Sequence, residues 1–250
     1  MPPGDCYIIS NERLGGHPLS NGIDRSAVCR RLRSVVPQAK VLLVIREQRS
    51  MILSNYMQYL HFGGAARIES YLKGKNDGKV PALSPAFWQY DRLIALYQNA
   101  FGAENLLVLP FELFASDPPA FVERICHFVG LDPPKSIQSD TKANARPDYF
   151  AYNCLRYASP LFRSSRGNAF APSLLGKKTG KAVHTTLQKW AGALVPVALN
   201  KRTKHALLRR IEKATAGLYC DSNRASSAMI GIDLAIFGYD SGTTTLESKQ

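Results

Sequence analysis

Arg46 and Ser54 are spaced for one piece of chemistry, the capture of an anion. Arg46 follows the apolar run VLLVI, Val41 to Ile45, and Ser54 comes eight residues later. An arginine guanidinium is always charged and can fork two hydrogen bonds onto a phosphate. If VLLVI is a strand of an open parallel sheet, ligands bind outside its carboxyl end. If the next segment is a helix, its first free N–H groups favour an anion there as well. Ser50 and Ser54 stand at i and i+4 and share a face, while Ile52, Leu53, Tyr56 and Leu60 populate the other side. The residues alone leave a second interpretation open. Arg46 pairs with Glu47 or another nearby acid, and Ser54 packs without a role.

Other chemistries drop out. There is no GxSxG, HExxH, GxGxxG or EF-hand pattern. Gly74–Lys79 (GKNDGK) and Gly176–Lys181 (GKKTGK) imitate a phosphate-binding loop. Both set their glycines one residue too close, and Val80 and Ala182 stand where Ser or Thr should coordinate magnesium. The five histidines (His17, His61, His127, His184, His205) lack metal-ligand spacing, so no metal is expected. His127 lies in an apolar helical pattern and reads as a core or boundary residue. His17, in GGHPL, reads as a surface-loop residue or as part of a cleft wall. The five scattered cysteines include no CxxC pair, which favours buried free thiols in a reducing compartment over a disulfide framework.

The elements that must position Arg46 are readable from periodicity. Cys6–Ser10 (CYIIS) and Lys40–Ile45 (KVLLVI) read as strands, the second as a central parallel strand covered on both faces. Asp24 to Val36 has helical spacing, with Asp24 as N-cap. A helix over Gln48 to His61 ends at Gly63-Gly64. Lys73 to Pro85 reads as a surface loop, and Pro85 to Gly102 as a helix. Asn105 to Phe114 is a third strand running into a turn, and Pro118 to Leu131 a helix started by proline and stopped by Gly130. This order predicts an α/β fold with a parallel sheet flanked by helices. Helices are expected near Thr185–Leu199 and Lys204–Asp221. Ile230–Asp240 is expected to return apolar residues to the core. Residues 1–240 read as one domain and 241–250 as a polar, frayed tail.

The net charge of +13 is concentrated. Arg163 to Lys213 holds twelve Lys/Arg and one acid, Glu212. Such a segment suits a nucleic acid, an acidic glycan, an anionic membrane or an anionic cofactor, or is a solvated basic arm. Its aromatics Phe162, Phe170 and Trp190 lie far apart, which argues against a base-stacking platform. LQKWAGALVPVAL is apolar and lysine-flanked, but Pro196 interrupts it as a peripheral membrane helix. No apolar run reaches membrane-spanning length and no signal peptide is visible, so a cytoplasmic protein is expected.

Arg46, seven intervening residues, Ser54 and then Tyr56 resemble the 3′-phosphate-binding motif of sulfotransferases. ENLLVLPFELFASDPPAFVERICHFVGL resembles that family's strand, Tyr/Phe-Glu turn and following helix. LYCDSNRASSAMIGIDLAIFGYD resembles the terminal block of its carbohydrate-type and bacterial branch. The resemblance covers most of Cys6 to Asp132 and then Leu218 to Asp240. It implies a P-loop-NTPase-like sulfotransferase fold and the co-substrate 3′-phosphoadenylyl sulfate (PAPS), with Arg46 and Ser54 on its 3′-phosphate. It also implies a hydroxyl or amine acceptor, a carbohydrate by branch. Nucleic acid is not expected as a partner. Related enzymes use Glu or His as the base that takes the acceptor proton, and Glu12 in IISNERL is expected in that role, with His17 second. Asn144 and Arg146, in KANARP, lie where some relatives close a loop over the nucleotide.

Two departures accompany the match. Arg46-Glu47-Gln48 stands where the family has Arg-Asn-Pro. The family's loop resembling PKxGTT, which holds the phosphosulfate end, has no counterpart before Cys6. An amino-terminally incomplete fold with little or no turnover is therefore expected, since losing one such donor costs about 10²–10³ in rate. The alternative is a non-enzymatic basic protein that binds nucleic acid, membrane or glycan on a degenerate scaffold.

Overall fold

The computed structural model describes residues 7–16, 22–61, 64, 66–73, 84–134, 136, 148–158, 186 and 195–242. The expectations for Cys6, His17, both P-loop-like segments, Asn144, Arg146 and His184 fall outside those residues, as do those for most of 163–194 and for 243–250.

β1 (Val41–Ile45) and β2 (Leu106–Pro110) pair in parallel, with Val41 opposite Leu106 and Ile45 opposite Pro110. Parallel neighbours need a long crossover. Here it carries α2 (Gln48–His61), the short α3 (Ile68–Leu72) and α4 (Tyr90–Phe101). α1 (Arg25–Val35) precedes the pair, while α5 (Phe111–Ser116) and α6 (Pro118–Val129) follow it. α7 (Tyr149–Ala158), α8 (Val197–Thr215) and α9 (Cys220–Ile230) complete the described helices. The fold is α/β, a parallel strand pair flanked by helices.

Local sequence explains where these elements start and stop. Asp117 caps α6 by accepting from the Ala120 N–H at 3.0 Å, and Pro118 occupies the first helical position, where its missing N–H costs nothing. Gly130 closes α6 at φ 78°, a left-handed conformation that a side chain would strain. Along α4, Leu93, Ile94, Tyr97 and Phe101 recur on one face and are all buried. They meet Ile52, Leu53, Tyr56, Met57 and Leu60 of α2, Ile45 of β1 and Ile211 of α8 in one core. Leu234 and Tyr239 join this core, so the segment before Asp240 does return apolar groups to it.

Several expectations are corrected. Residues 7–10 form no strand, and Tyr7, Ile8 and Ile9 are largely exposed. Their β-propensity expresses itself only through pairing and packing, which they lack among the described residues. β1 is not covered on both faces: Leu42 and Val44 are 38% and 47% exposed while Ile45 is buried. Asp24 stands before α1 without a side-chain capping bond. The third strand ends at Pro110, and its expected turn is the helix α5. α8 begins at Val197, ahead of the expected Lys204, because Pro196 opens a helix instead of interrupting one. His127 is exposed on α6 and pairs with Glu123 at 3.7 Å, since its position turns away from the buried Phe121. Of the four described cysteines, all free, only Cys29 is buried.

Candidate functional site

Arg46 leaves β1 as the strand ends, and two residues later, after Glu47, α2 begins. Tyr90, at the start of α4, fixes this turn from below. Its hydroxyl donates to the Arg46 carbonyl at 2.6 Å and accepts from the Arg46 N–H at 3.4 Å. Full burial pushes the Tyr90 phenol well above its ordinary pKa, so it remains a neutral donor. The Arg46 guanidinium lies 5.2 Å from the Phe111 ring centre, a cation–π distance. Among the described residues it makes no ion pair.

Glu47 explains why. Its carboxylate does not turn to Arg46. One oxygen accepts from the Arg49 N–H at 2.9 Å and from Arg49 Nε at 2.7 Å, and the other accepts from the Ser50 N–H at 2.9 Å. Glu47 therefore caps α2 with its own charge, where the helix dipole favours an anion. The free N–H groups expected there are already occupied in part. Arg49 is further held by Glu212 at 3.0 Å and by the Gly238 carbonyl at 3.0 Å. Burial alone would lower the Arg49 pKa, but the bond and charge of Glu47, with Glu212 and Asp240, hold it above the ordinary value.

Three segments far apart in sequence converge on this turn. Glu112, just past β2, accepts from the Glu47 N–H at 3.0 Å and from the Tyr239 hydroxyl at 3.0 Å. Gln48 is 1% exposed, and its amide pairs with the Asn223 amide at 2.6 Å and 3.3 Å. Asn223 Nδ2 also donates to the Asp240 carbonyl at 2.8 Å. Buried amides that satisfy each other avoid the desolvation penalty of an orphaned group. Burial, with Tyr90 and Glu112 nearby, drives the Tyr239 phenol far above its ordinary range.

Ser54 lies six residues into α2, about 9 Å along the axis from its first residue. It is half-buried, and its hydroxyl has no hydrogen bond among the described residues. Glu12 opens a short 3-10 turn, Glu12–Gly15. Arg25 pins that turn by donating to the Gly15 carbonyl at 2.8 Å and to the Phe87 carbonyl at 3.1 Å. Tyr97 donates to the Leu14 carbonyl. α4 thus braces both the Glu12 turn, through Tyr97, and the Arg46 turn, through Tyr90, at points about 10 Å apart along its axis. The Glu12 side chain itself lies outside the described part of the structure.

Glu47, Gln48, Glu112 and Asn223 escaped sequence reasoning as functional positions. A carboxylate immediately before a helix start was the available signal for Glu47. Nothing in the sequence pairs Gln48 with Asn223. Among the described residues, no group of His, Cys, Asp and Glu side chains could hold a metal ion, and no helix is long and apolar enough to cross a membrane.

Residues 27–135 match the profile described as "Sulfotransferase family". No curated protein matches significantly. Among solved structures, a sulfotransferase from Alicyclobacillus acidocaldarius aligns at 21% identity with a TM-score of 0.39. The alignment covers 63% of this chain and 63% of that one. The matched span of the family profile, 109 of the 250 residues, contains most of α1, both strands, α2 to α6 and the Arg46 turn.

Proposed function

We propose that the chain is built to transfer a sulfuryl group from PAPS to a hydroxyl or amine of a carbohydrate acceptor, with low turnover, Arg46 and Ser54 gripping the donor's 3′-phosphate. The observation that carries this reading is the Arg46 guanidinium. It sits at the carboxyl end of a parallel strand, stacked on Phe111, while the adjacent carboxylate is committed to Arg49 and to the helix amides. Its charge remains to meet an anion. Ser54 supplies a hydroxyl without a described partner on the helix that starts at the same turn.

Sulfuryl transfer needs an in-line arrangement, stabilisation of the leaving phosphate and a base for the acceptor proton. Arg46 and Ser54 would orient the donor by its nucleotide end. Glu12 would take the proton, from a turn held by Arg25 and Tyr97. Glu47 keeps Arg46 free and fixes the backbone that carries it.

The test is calorimetric titration of 3′-phosphoadenosine 5′-phosphate into the wild type and Arg46→Ala. Loss of a charge-assisted contact of about 1.5–3 kcal/mol predicts affinity reduced about 10- to 100-fold. Equal affinities would remove Arg46 from the site. Turnover with PAPS and a sugar panel then tests Glu12→Gln, expected to lower kcat with little change in nucleotide affinity.

A second reading, oxyanion binding without catalysis, is favoured by α8, where six Lys/Arg face one acid. It predicts saccharide binding with no turnover.

A further inference from the structure

α7 and α8 enclose a groove of about 230 Å³ whose charges the donor site does not use. Leu207 and Ala206 contribute apolar wall, while Asn153, Arg202, Thr203 and Arg210 bring polar groups to it. Arg202 makes no ion pair among the described residues, and Arg210 has one, with Glu69 at 3.4 Å, between two exposed side chains. Exposed pairs of this kind are weak and leave the guanidinium available.

Asn153 is oriented from behind. Arg156, only 9% exposed, donates its Nε–H to the Asn153 carbonyl oxygen at 3.0 Å. It also donates to the Tyr157 hydroxyl at 2.6 Å and lies 4.1 Å from that ring's centre. No carboxylate partners Arg156 among the described residues. With its oxygen engaged, Asn153 has its amide N–H groups left to donate. Thr203 gives its hydroxyl proton to the Leu199 carbonyl at 2.9 Å and is not a donor here. The polar lining is thus two guanidiniums and one amide, an excess of positive charge and of donors over acceptors. That combination recognises an oxyanion.

We propose that this groove is a subsite for a carboxylate or sulfate group on the acceptor, so that the acceptor is an acidic saccharide and not a neutral one. The proposal rests on the carbohydrate reading above. The groove has room for a charged group and part of a sugar ring, and among the described residues no aromatic side chain lines it as a platform for nucleobases.

The experiment uses the full chain and titrates four probes: a sulfated hexasaccharide, neutral maltohexaose, inorganic sulfate and duplex DNA. The sulfated hexasaccharide is expected to bind in a salt-dependent manner, with maltohexaose and inorganic sulfate at least about 10-fold weaker. Arg202→Gln is expected to weaken the sulfated probe about 10-fold, and Arg202→Glu further. Since Arg202 has no described ion pair, both variants should keep the wild-type melting temperature and nucleotide affinity. Equal binding of the sulfated probe by wild type and Arg202→Glu would overturn the subsite. So would maltohexaose, inorganic sulfate or duplex DNA binding as tightly as the sulfated probe. If instead wild type fails to bind 3′-phosphoadenosine 5′-phosphate while Arg202 still governs saccharide binding, the sulfotransferase reading fails and the subsite stands.

Discussion

The turn after β1 and the groove between α7 and α8 both carry arginine, yet they handle its charge in opposite ways. At the turn, Glu47 and Glu112 absorb Arg49, two helix amides, a further backbone N–H and a tyrosine hydroxyl. One guanidinium, that of Arg46, is left over and aimed by its backbone bonds to Tyr90. At the groove, among the described residues, Arg210 pairs only with the exposed Glu69, and no acid pairs with Arg202 or with Arg156 behind Asn153. The difference separates two ways of building an anion site. One selects a single cation from a satisfied network, and the other leaves a whole face unneutralised. The first should be sensitive to the removal of any member, and the second should tolerate single losses in the fold.

The largest effect should come from Glu47→Ala. It removes a half-buried ion pair and a helix cap together, and thermal melting should show a loss of about 2–3 kcal/mol. A loss as small as that of an exposed groove residue would erase the contrast between the two regions. Next is Asn223→Leu, which leaves the buried Gln48 amide with only its 3.4 Å bond to the Trp88 carbonyl and should cost about 1–3 kcal/mol in urea denaturation. Gln48→Leu combined with it should recover part of that loss, and additive losses would disprove the amide pair. Arg202→Gln sits at the other end, within about 0.5 kcal/mol of wild type in the same assay.

The smallest effect is one of pH. Burial would raise the Asp240 carboxyl, but hydrogen bonds from Cys220 and from the Gly242 and Gly217 amides, with the Arg49 charge, hold it below 3.8. A carboxylate lowered on folding contributes stability above its unfolded pKa and loses it as pH falls through the folded value. Asp240→Asn should therefore lower the melting temperature slightly at pH 7, where the carboxylate's contribution is fully present, and flatten the fall in stability below about pH 4. An unchanged acid slope would detach Asp240 from the network at Arg49.

Periodicity and punctuation determined much of this protein. The apolar run of β1, the span of α2, the caps of α6 and the position of Arg46 at a strand end follow from local spacing, because each depends on neighbours within a few residues. The family resemblance also rested on residues legible in order along the chain. Tertiary structure alone decided which partner each charge took. Glu47 could face Arg46 or Arg49, and packing chose Arg49. The residues at 7–10 have strand propensity but no pairing partner among the described residues, and α8 gathers its basic residues against α7 over a groove that no sequence window contains. Gln48 and Asn223 stand 175 residues apart. Their pairing could not be read from the chain, because a buried polar group is satisfied only by what the fold brings to it.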